Sequence, residues 1–433
     1  MSSSPFRIQD FWAVATPGTT LCLLDGTYRG SGNMISPPNL SGTSTDPITI
    51  RALNDGQVLI DGEFTRNPIS LAGVQWFDIQ GINFRNGAGS VIFVSAGSRN
   101  VNFRRVVAWD ANMTRNVHVV LVTGSANIRF FDAGFFGTGR KVWSPSMKDT
   151  TNTECHRCWI RWEGTNNGGA GAATMQYNAY GTKLIDSLVT WDAISQPENY
   201  CVTDAAGNCT GSLRSNFSLS SPLGFHIFND HSPDSCSQAR LQGVLAYTTA
   251  KQHINVSSNY RSVRLGPPGS STIGLADITC IRLDHVAVVI SPTNPWKGGG
   301  YYLSPLDGLT TDKIGRHITV IAAGSNTFGS NWDVPSSSRF IATAIPPVGS
   351  ATHPWTQSGT AGTNLCYRYG TTTPMWPFPM NERIRQATAM AGAYKGPCAQ
   401  CSGTLPRART ATDVTAEVET VLGPIPAKCR TDR

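Results

Sequence analysis

The feature of this sequence that most restricts its fold is a repeat of about 26 residues. Short strand-like segments recur between residues 76 and 250, and each ends on an aromatic residue. These aromatic positions are Phe84, Trp109, Phe136, Trp162, Trp191 and Tyr247, separated by 25, 27, 26, 29 and 56 residues. The last step is close to two periods, so one period accounts for the whole series.

A second apolar run follows within several periods, as at residues 91–94 and 118–122. These runs are β-branched or aromatic and are separated by Gly, Asn and Ser, which is strand-and-turn chemistry. Short strands at this period, without helices, indicate a parallel β-solenoid whose coils stack about 4.8 Å apart. Propeller blades need about 40 to 50 residues, and leucine-rich repeats need a Leu/Asn pattern that is missing. We therefore predict an all-β solenoid in which the six aromatic side chains form one column.

Three opening segments carry a family resemblance: residues 20–30 read TLCLLDGTYRG, residues 47–52 read PITIRA, and residues 58–63 read VLIDGE. They resemble the first coils of the pectin-lyase-like polysaccharide lyases of the chondroitinase B and alginate lyase type. The resemblance is close over residues 15–65 and generic to about residue 325. It implies a right-handed, single-stranded parallel β-helix. Residues 11–15 would then be a remnant of the capping helix with which such chains begin.

The sequence divides into three parts. We predict a truncated N-terminal cap at residues 1–19 and a parallel β-helix at residues 20–330. The remainder, residues 331–433, is interpreted as an irregular, cysteine-containing C-terminal cap, because a solenoid must cover its terminal coil. Its Ser/Pro/Gly-rich stretch reads as a loop, and one short helix is predicted at about residues 380–391.

Composition limits the partners and the compartment. The net charge is +7, yet no run of basic residues or long apolar stretch occurs, so we expect a polyanionic partner but neither nucleic acid nor a membrane span. Eleven cysteines favour an oxidising, extracellular or periplasmic location. The start of the chain has no signal-peptide pattern, so we expect a leader that has been removed. The oligomeric state is left open.

The cysteine spacing gives one specific pairing. Cys201 and Cys209 bracket a turn-forming segment, so we predict a disulfide between them. Two CxxC pairs, at residues 155–158 and 398–401, are interpreted as structural disulfides, with a zinc site as the alternative. Since the number of cysteines is odd, one must be free or pair with another chain.

The residue after the aromatic position supplies three carboxylates, Asp110, Glu163 and Asp192. Because side chains alternate along a strand and buried unpaired carboxylates are costly, we place the tryptophans inside and the carboxylates outside; the alternative is that the tryptophans line an outer groove for sugar rings. Carboxylates one or two coils apart repel one another unless a cation lies over them. Ca²⁺ takes such hard oxygen ligands, and the resemblance implies a calcium ion that neutralises a uronate carboxylate.

Basic residues follow the same aromatic positions and give the candidate catalytic groups. Lys141 and Lys251 are the candidate bases, with Arg140 and His253 beside them. Arg115 is assigned to substrate binding, and so are Asp230 and His231, which lie at a turn after the longest insertion. The alternative interpretation is a solvated face whose charges pair with one another. His226 alternates within an apolar strand and is interpreted as structural.

The sequence favours a secreted polysaccharide lyase that cleaves an acidic, uronate-containing polysaccharide by β-elimination. Two alternatives stay open. A glycoside hydrolase would use Glu163 with Asp192 or with Asp110 as its paired carboxylates. A noncatalytic glycan-binding or spike-like solenoid would use the same scaffold without chemistry. No nucleotide-binding, serine-nucleophile or zinc-protease motif occurs in a supporting context.

Overall fold

The computed structural model describes the following parts of the chain: residues 6–112, 117–137, 141–146, 149–162, 172–177, 179–191, 201–203, 209–212, 223–228, 239–248, 261–265, 281–290, 313–321, 339–342, 344–355, 365–378, 380–391 and 413–431. Within these ranges strands predominate, and no helix is long and apolar enough to cross a membrane.

The strands are short and follow one another along the whole described chain. The first are β1 (Thr20–Leu23), β2 (Gly26–Tyr28), β3 (Ile48–Ala52), β4 (Val58–Arg66), β5 (Ile69–Ala72), β6 (Gln75–Gln80), β7 (Ile82–Gly87), β8 (Ile92–Ser95) and β9 (Arg99–Arg104). Next come β10 (Val107–Ala111), β11 (His118–Thr123), β12 (Ala126–Phe131), β13 (Gly134–Gly137), β14 (Lys141–Ser146), β15 (Glu154–His156), β16 (Trp159–Trp162), β17 (Ala172–Tyr177) and β18 (Lys183–Ile185). The last are β19 (Leu188–Trp191), β20 (Cys201–Thr203), β21 (Cys209–Ser212), β22 (Leu223–Phe228), β23 (Arg240–Thr248), β24 (Arg261–Leu265), β25 (Ile281–Ile290), β26 (Lys313–Ile321) and β27 (Arg339–Ala342).

These strands form three parallel sheets that run along one axis, so the predicted solenoid is confirmed. The first sheet stacks β1, β3, β6, β9, β12, β15 and β18. The second stacks β2, β4, β7, β10, β13, β16 and β19. The third stacks β5, β8, β11, β14, β17, β22 and β24. The long strands β23, β25 and β26 continue both the first and the second sheet, and β27 pairs with β26 beyond residue 330.

From β6 onward, each coil turns from the first sheet to the second through one residue with a left-handed backbone. These residues are Gly81, Arg105, Asp132, Arg157, Asp186, Gly243, His285 and His317. Glycine adopts this conformation without strain, and the other side chains tolerate it at some cost. The sharp bend, repeated coil after coil, keeps the two sheets at a constant angle.

A second corner carries a stack of asparagines. Asn127 donates to Asn100 at 3.1 Å, and Asn152 donates to Asn127 at 3.3 Å. All three have a left-handed backbone, which asparagine tolerates better than most residues. The ladder connects three successive coils through side-chain amides.

Apolar side chains from all three sheets fill the interior of the solenoid. Phe84, Phe103, Phe130 and Trp143 are fully buried there. The rings of Phe103 and Phe130, on neighbouring coils, stack with centroids 4.7 Å apart. Burial of one such side chain contributes about 1.5–3 kcal/mol, so the repeated interior positions provide most of the stabilisation of each coil.

The single aromatic column predicted from the sequence is wrong. Phe84 lies in the interior and is in register with Ala108, whereas Trp109 faces outward and is in register with Phe136. Phe136 in turn is in register with Arg161. The coils differ in length by single residues, and a shift of one residue moves a side chain to the opposite face of a sheet.

The described parts of the C-terminal segment, which are residues 344–355, 365–378, 380–391 and 413–431, pack against the outward face of the second sheet. They include α2 (Asn381–Ala391) and α3 (Val414–Leu422), whereas α1 (Ile8–Phe11) lies at the start of the solenoid. The sequence predicted one short helix in this segment and missed α3, which Asp413 caps by accepting from the amide of Ala416. Two short 3-10 turns are present at Ser31–Asn33 and Ala427–Cys429.

Large apolar side chains form the contact between this segment and the second sheet, which we call the outer cluster. From the sheet come Trp109, Phe136, Trp159, Leu188 and Tyr247, and from the segment Trp355, Trp376, Met380, Ile384 and Val418. Two polar contacts tie the same surfaces together. Arg383 donates to Asn83 at 3.1 Å, and Arg161 pairs with Glu417 at 2.9 Å.

The cysteines are used mainly for local and C-terminal cross-links. Cys155 and Cys158 form a disulfide, as predicted, and Cys366 and Cys429 form another that the sequence did not predict. Among the described cysteines, Cys22 is free and exposed. Strands β20 and β21 form an antiparallel hairpin, which leaves the predicted Cys201–Cys209 bond a prediction. Residues 398 and 401 lie outside the described chain.

Candidate functional site

Charged side chains concentrate at one edge of the solenoid, where strands of the second sheet end and the chain turns toward the third. Asp61 and Arg85 lie at this edge on β4 and β7. Asp110 follows on β10, and Lys141 begins β14 of the third sheet. We call these four residues the charged edge. Because parallel strands all end at the same side of a sheet, residues far apart in sequence are brought to it.

Asp61 is the best-defined group of the charged edge. It is 3% exposed and accepts from Arg85 Nε at 3.1 Å, from Asn86 Nδ2 at 2.9 Å and from the amide of Glu63 at 3.0 Å. Arg29 approaches from the preceding coil at 3.4 Å. Burial raises the pKa of Asp61, but Arg85 and the hydrogen bonds outweigh it, so the pKa lies below its ordinary value. The carboxylate is therefore ionised at neutral pH and fixes the Arg85 guanidinium.

Asp110 lies on the coil that follows Arg85, but its environment differs from the prediction. It is 1% exposed and has a left-handed backbone with φ 61°. We expected Trp109 inside and Asp110 outside; instead Trp109 faces outward beneath the C-terminal segment, and Asp110 is buried. The left-handed residue breaks the alternation of the strand, so the rule that neighbours face opposite sides does not apply at this corner.

Lys141 was expected to lie above a groove, and the structure instead buries it in the third sheet. It is 4% exposed and is in register with His118 of β11 on one side and with Ala172 of β17 on the other. The register places a half-buried histidine one strand away from a buried lysine. Buried ionisable groups are costly to retain, so their concentration at one edge favours a functional role over a solvated surface.

The remaining predicted site residues lie outside the described chain and stay predictions. They are Arg115, Arg140, Glu163, Asp192, Asp230, His231, Lys251 and His253. Strand β22 shows that His226 is in register with Met175 and Arg264 of the third sheet. Asp61, Arg85 and His118 were not assigned from the sequence. The signal for Asp61 was present in the Asp-Gly-Glu segment within β4, but its partner on the next coil follows only from the register.

A calcium site is not assembled by the described residues. Asp110 is the one predicted ligand among them, and no group of three His, Cys, Asp or Glu side chains there comes close enough to hold a metal ion. Asp61 is already fully engaged by Arg85, Asn86 and a backbone amide. We therefore derive no step through calcium.

Comparisons with known proteins agree with this architecture. Residues 7–117 match the Chondroitinase B family model, a stretch that contains Asp61, Arg85 and Asp110 but not Lys141. Among solved structures, the chain is similar to pectate lyase Pel9A, with a TM-score of 0.50, 14% identity and coverage of 81% of this chain and 78% of that chain. It is also similar to an alginate lyase from Paenibacillus sp. str. FPU-7, with a TM-score of 0.40, 13% identity and coverage of 77% and 95%.

At this identity the structural likeness establishes the fold alone, a parallel β-helix. No curated protein sequence matches the chain significantly. The family match and the charged edge therefore carry the functional argument together, since three of the four residues of the charged edge, Asp61, Arg85 and Asp110, lie within the matched residues.

Proposed function

We propose that this protein is a secreted polysaccharide lyase that cleaves an acidic, uronate-containing polysaccharide by β-elimination. The single observation that carries the proposal is the overlap between the Chondroitinase B family match and three charged residues, the buried Asp61 and Asp110 and the half-buried Arg85. The location outside the cell is supported by the two disulfides, since such bonds persist in oxidising compartments.

In this reaction a base removes the C5 proton of a uronate, negative charge develops on its carboxylate, and the bond from C4 to the glycosidic oxygen breaks. The products are an unsaturated sugar and a new chain end that receives a proton. We assign the base to Lys141 or Lys251, with Arg140 and His253 beside it. Lys141 is a candidate because it is held in the sheet, shielded from bulk water, at the edge where the other charges lie.

Arg85 has a positioning role at the charged edge in this proposal. Its guanidinium is held by Asp61 through contacts of 3.0 and 3.1 Å, so its orientation is fixed before substrate arrives. A preorganised positive group costs no reorganisation when charge develops in the transition state. Arg115, Asp230 and His231 are proposed to contact the polysaccharide. Asp110, Glu163 and Asp192 are proposed to provide the negative charge that a calcium ion would neutralise.

The test is incubation with alginate, pectate, chondroitin and neutral glycans. Unsaturated products that absorb in the ultraviolet identify a lyase, reducing ends without that absorbance identify a hydrolase, and binding without products identifies a noncatalytic protein. Chelation with EDTA, followed by re-addition of Ca²⁺, tests the metal requirement separately. The proposal is wrong if no uronate polymer yields unsaturated product under either condition.

Variants then locate the site. Lys141→Met, Lys251→Ala and Glu163→Gln should each reduce turnover by about 100- to 1,000-fold, as loss of a preorganised charge does. Arg385→Gln is the matched control, because Arg385 is exposed on α2, away from the charged edge. Full activity in all three variants, with an unchanged thermal midpoint, would place the chemistry elsewhere on the molecule.

A further inference from the structure

The outward face of the first sheet carries two columns of residues, one residue per coil, along the solenoid axis. The first column contains Asp78, Asn102, Arg129, Glu154, Lys183, Arg240 and Arg282. The second contains Arg51, Gln80, Arg104, Phe131, His156, Ile185, Gln242 and Asp284. Between the two columns the inward residues, such as Phe103 and Phe130, are buried, so both columns face solvent.

Cations predominate on this face, and we call its six basic residues the basic strip: Arg51, Arg104, Arg129, Lys183, Arg240 and Arg282. The carboxylates on the same face already accept hydrogen bonds from neighbouring side chains. Asp78 accepts from Asn102 at 2.8 Å. Asp284 accepts from the Tyr369 hydroxyl at 2.7 Å. Glu154 accepts from Lys183 at 2.6 Å. The face therefore retains excess positive charge.

Four residues of the basic strip have no carboxylate partner within the described chain. Arg51, Arg104 and Arg282 are exposed, and Arg240 is half-buried. Arg240 and Arg282 lie directly opposite each other on neighbouring strands, with Lys183 on the strand before. Like charges opposite each other on neighbouring strands are destabilising, so this arrangement is unfavourable for folding alone. A bound polyanion would remove the repulsion.

The middle of the basic strip is held in place by its neighbours. The Arg104 guanidinium lies over the Phe131 ring at 4.6 Å, and the His156 ring stacks on Phe131 with centroids 5.0 Å apart. These contacts reduce the freedom that the cations would lose on binding. They also occupy both faces of Phe131, the one Phe, Tyr or Trp residue of the two columns. Binding of single-stranded nucleic acid relies on open aromatic faces on which bases stack, and the two columns offer none.

We propose that the basic strip binds a linear, anionic polysaccharide along the solenoid axis, as a noncatalytic surface separate from the charged edge. Lys183, Arg240 and Arg282 lie on three consecutive coils, about 4.8 Å apart, in one column that suits an extended chain with regularly repeated carboxylate or sulfate groups. The strip shares the class of ligand with the proposed lyase but does not depend on cleavage. Its function is to hold the polymer close to the protein between or during encounters with the charged edge.

Binding is measured by fluorescence anisotropy of labelled polygalacturonate and labelled alginate, at low salt and with EDTA. The double variant R240Q/R282Q should weaken binding by about fivefold, and the loss should shrink as salt screens the contacts. R385Q/K428Q is the matched control, because it removes the same charge from exposed positions of the C-terminal segment. It should leave the affinity unchanged. Thermal midpoints confirm that both variants are folded.

Equal affinity in the two double variants would overturn the proposal, as would absence of binding of either polymer to the unmodified protein. Tighter binding of a labelled DNA duplex than of both polysaccharides, with the same sensitivity to R240Q/R282Q, would assign the strip to nucleic acid instead. If the protein proves to be a lyase, R240Q/R282Q should raise KM for polymer while leaving kcat/KM for a short oligosaccharide unchanged. Failure of the lyase proposal would leave the anisotropy result intact.

Discussion

The outward faces of the first and second sheets differ, although the same coils build both. On the first sheet the outward positions hold Arg104, Arg129 and Lys183, and solvent reaches them. On the second they hold Trp109 and Phe136, which stack with centroids 5.5 Å apart and are buried beneath the C-terminal segment. In a solenoid the outward positions of each sheet repeat from coil to coil, independently of the other sheets. The residue type at those positions therefore decides whether the outward face of a sheet stays exposed to solvent or is covered by another segment.

The difference also separates two kinds of stabilisation. The outward face of the second sheet, the covered face, is stabilised by apolar burial in the outer cluster, to which the C-terminal segment contributes Trp355, Trp376 and Met380. The first sheet is stabilised by the apolar side chains on its inward side. Its outward side, the open face, carries polar networks that each contribute little to the free energy of unfolding. We therefore expect substitutions on the covered face to affect stability most and those on the open face to affect binding.

The largest expected effect tests this contrast directly. Trp376→Ala removes a buried ring whose Nε1 donates to the carbonyl of Leu365 at 2.9 Å, and it should lower the free energy of unfolding by about 3–5 kcal/mol. Phe131→Ala, on the open face, should cost at most about 1 kcal/mol. Urea denaturation of both variants measures the difference. Similar losses would mean that the two faces contribute equally to stability.

The next largest effect on stability concerns the disulfide of the C-terminal segment. Cys366 and Cys429, 63 residues apart, cross-link this segment, so the double variant Cys366→Ser/Cys429→Ser should lose about 2–4 kcal/mol. Cys22→Ser, at a free and exposed cysteine of the first sheet, should leave stability unchanged. Thermal midpoints under nonreducing conditions give the comparison. A stable double variant would show that the outer cluster holds the segment without the bond.

The smallest expected effect on stability is electrostatic and concerns the outward face of the first sheet. Hydrogen bonding from His156 lowers the pKa of Glu154 to about 2, against burial, with Lys183 acting in the same direction. A depressed pKa stabilises the fold above the unfolded pKa, so this contribution is present above about pH 5 and is lost as the pH falls toward 2. Glu154→Gln should cost about 1 kcal/mol at neutral pH and nothing near pH 2.

The matched control for Glu154 is Glu382→Gln, an exposed carboxylate on α2. Denaturation midpoints between pH 7 and pH 3 should converge for Glu154→Gln and the parent protein, while Glu382→Gln follows the parent throughout. A constant gap for Glu154→Gln across that range would show that its network does not depend on ionisation. The cost of Trp376→Ala should not change with pH, since it arises from apolar burial.

The sequence was sufficient to predict the solenoid, because its period and turn residues are local signals repeated in every coil. It was not sufficient to predict the register. Trp109 aligns with Arg85 and not with Phe84, and a difference of one residue in coil length reverses which side chain faces outward. For the same reason the covered face was missed, although Trp109, Phe136 and Tyr247, which help to build it, were among the aromatic positions identified in the sequence.

The candidate site was predicted in part. Asp110 and Lys141 were chosen from their place after aromatic positions, and the structure brings them to one edge, but buried and not exposed as expected. The pairing of Asp61 with Arg85 joins two coils and follows only from the strand register. Likewise, no spacing rule connects Cys366 with Cys429, because the conformation of the C-terminal segment depends on the surface against which it packs.

The contact between Arg383 and Asn83 spans 300 residues of sequence and has a consequence for synthesis of the chain. At about 5–20 residues per second, the ribosome adds the covering helix about 15–60 s after the coil that the helix covers. During that interval Leu59 and Val107, later part of the outer cluster, have no C-terminal partner. The N-terminal coils are thus completed by a part of the chain that is made much later, and their uncovered apolar row is where aggregation competes with folding.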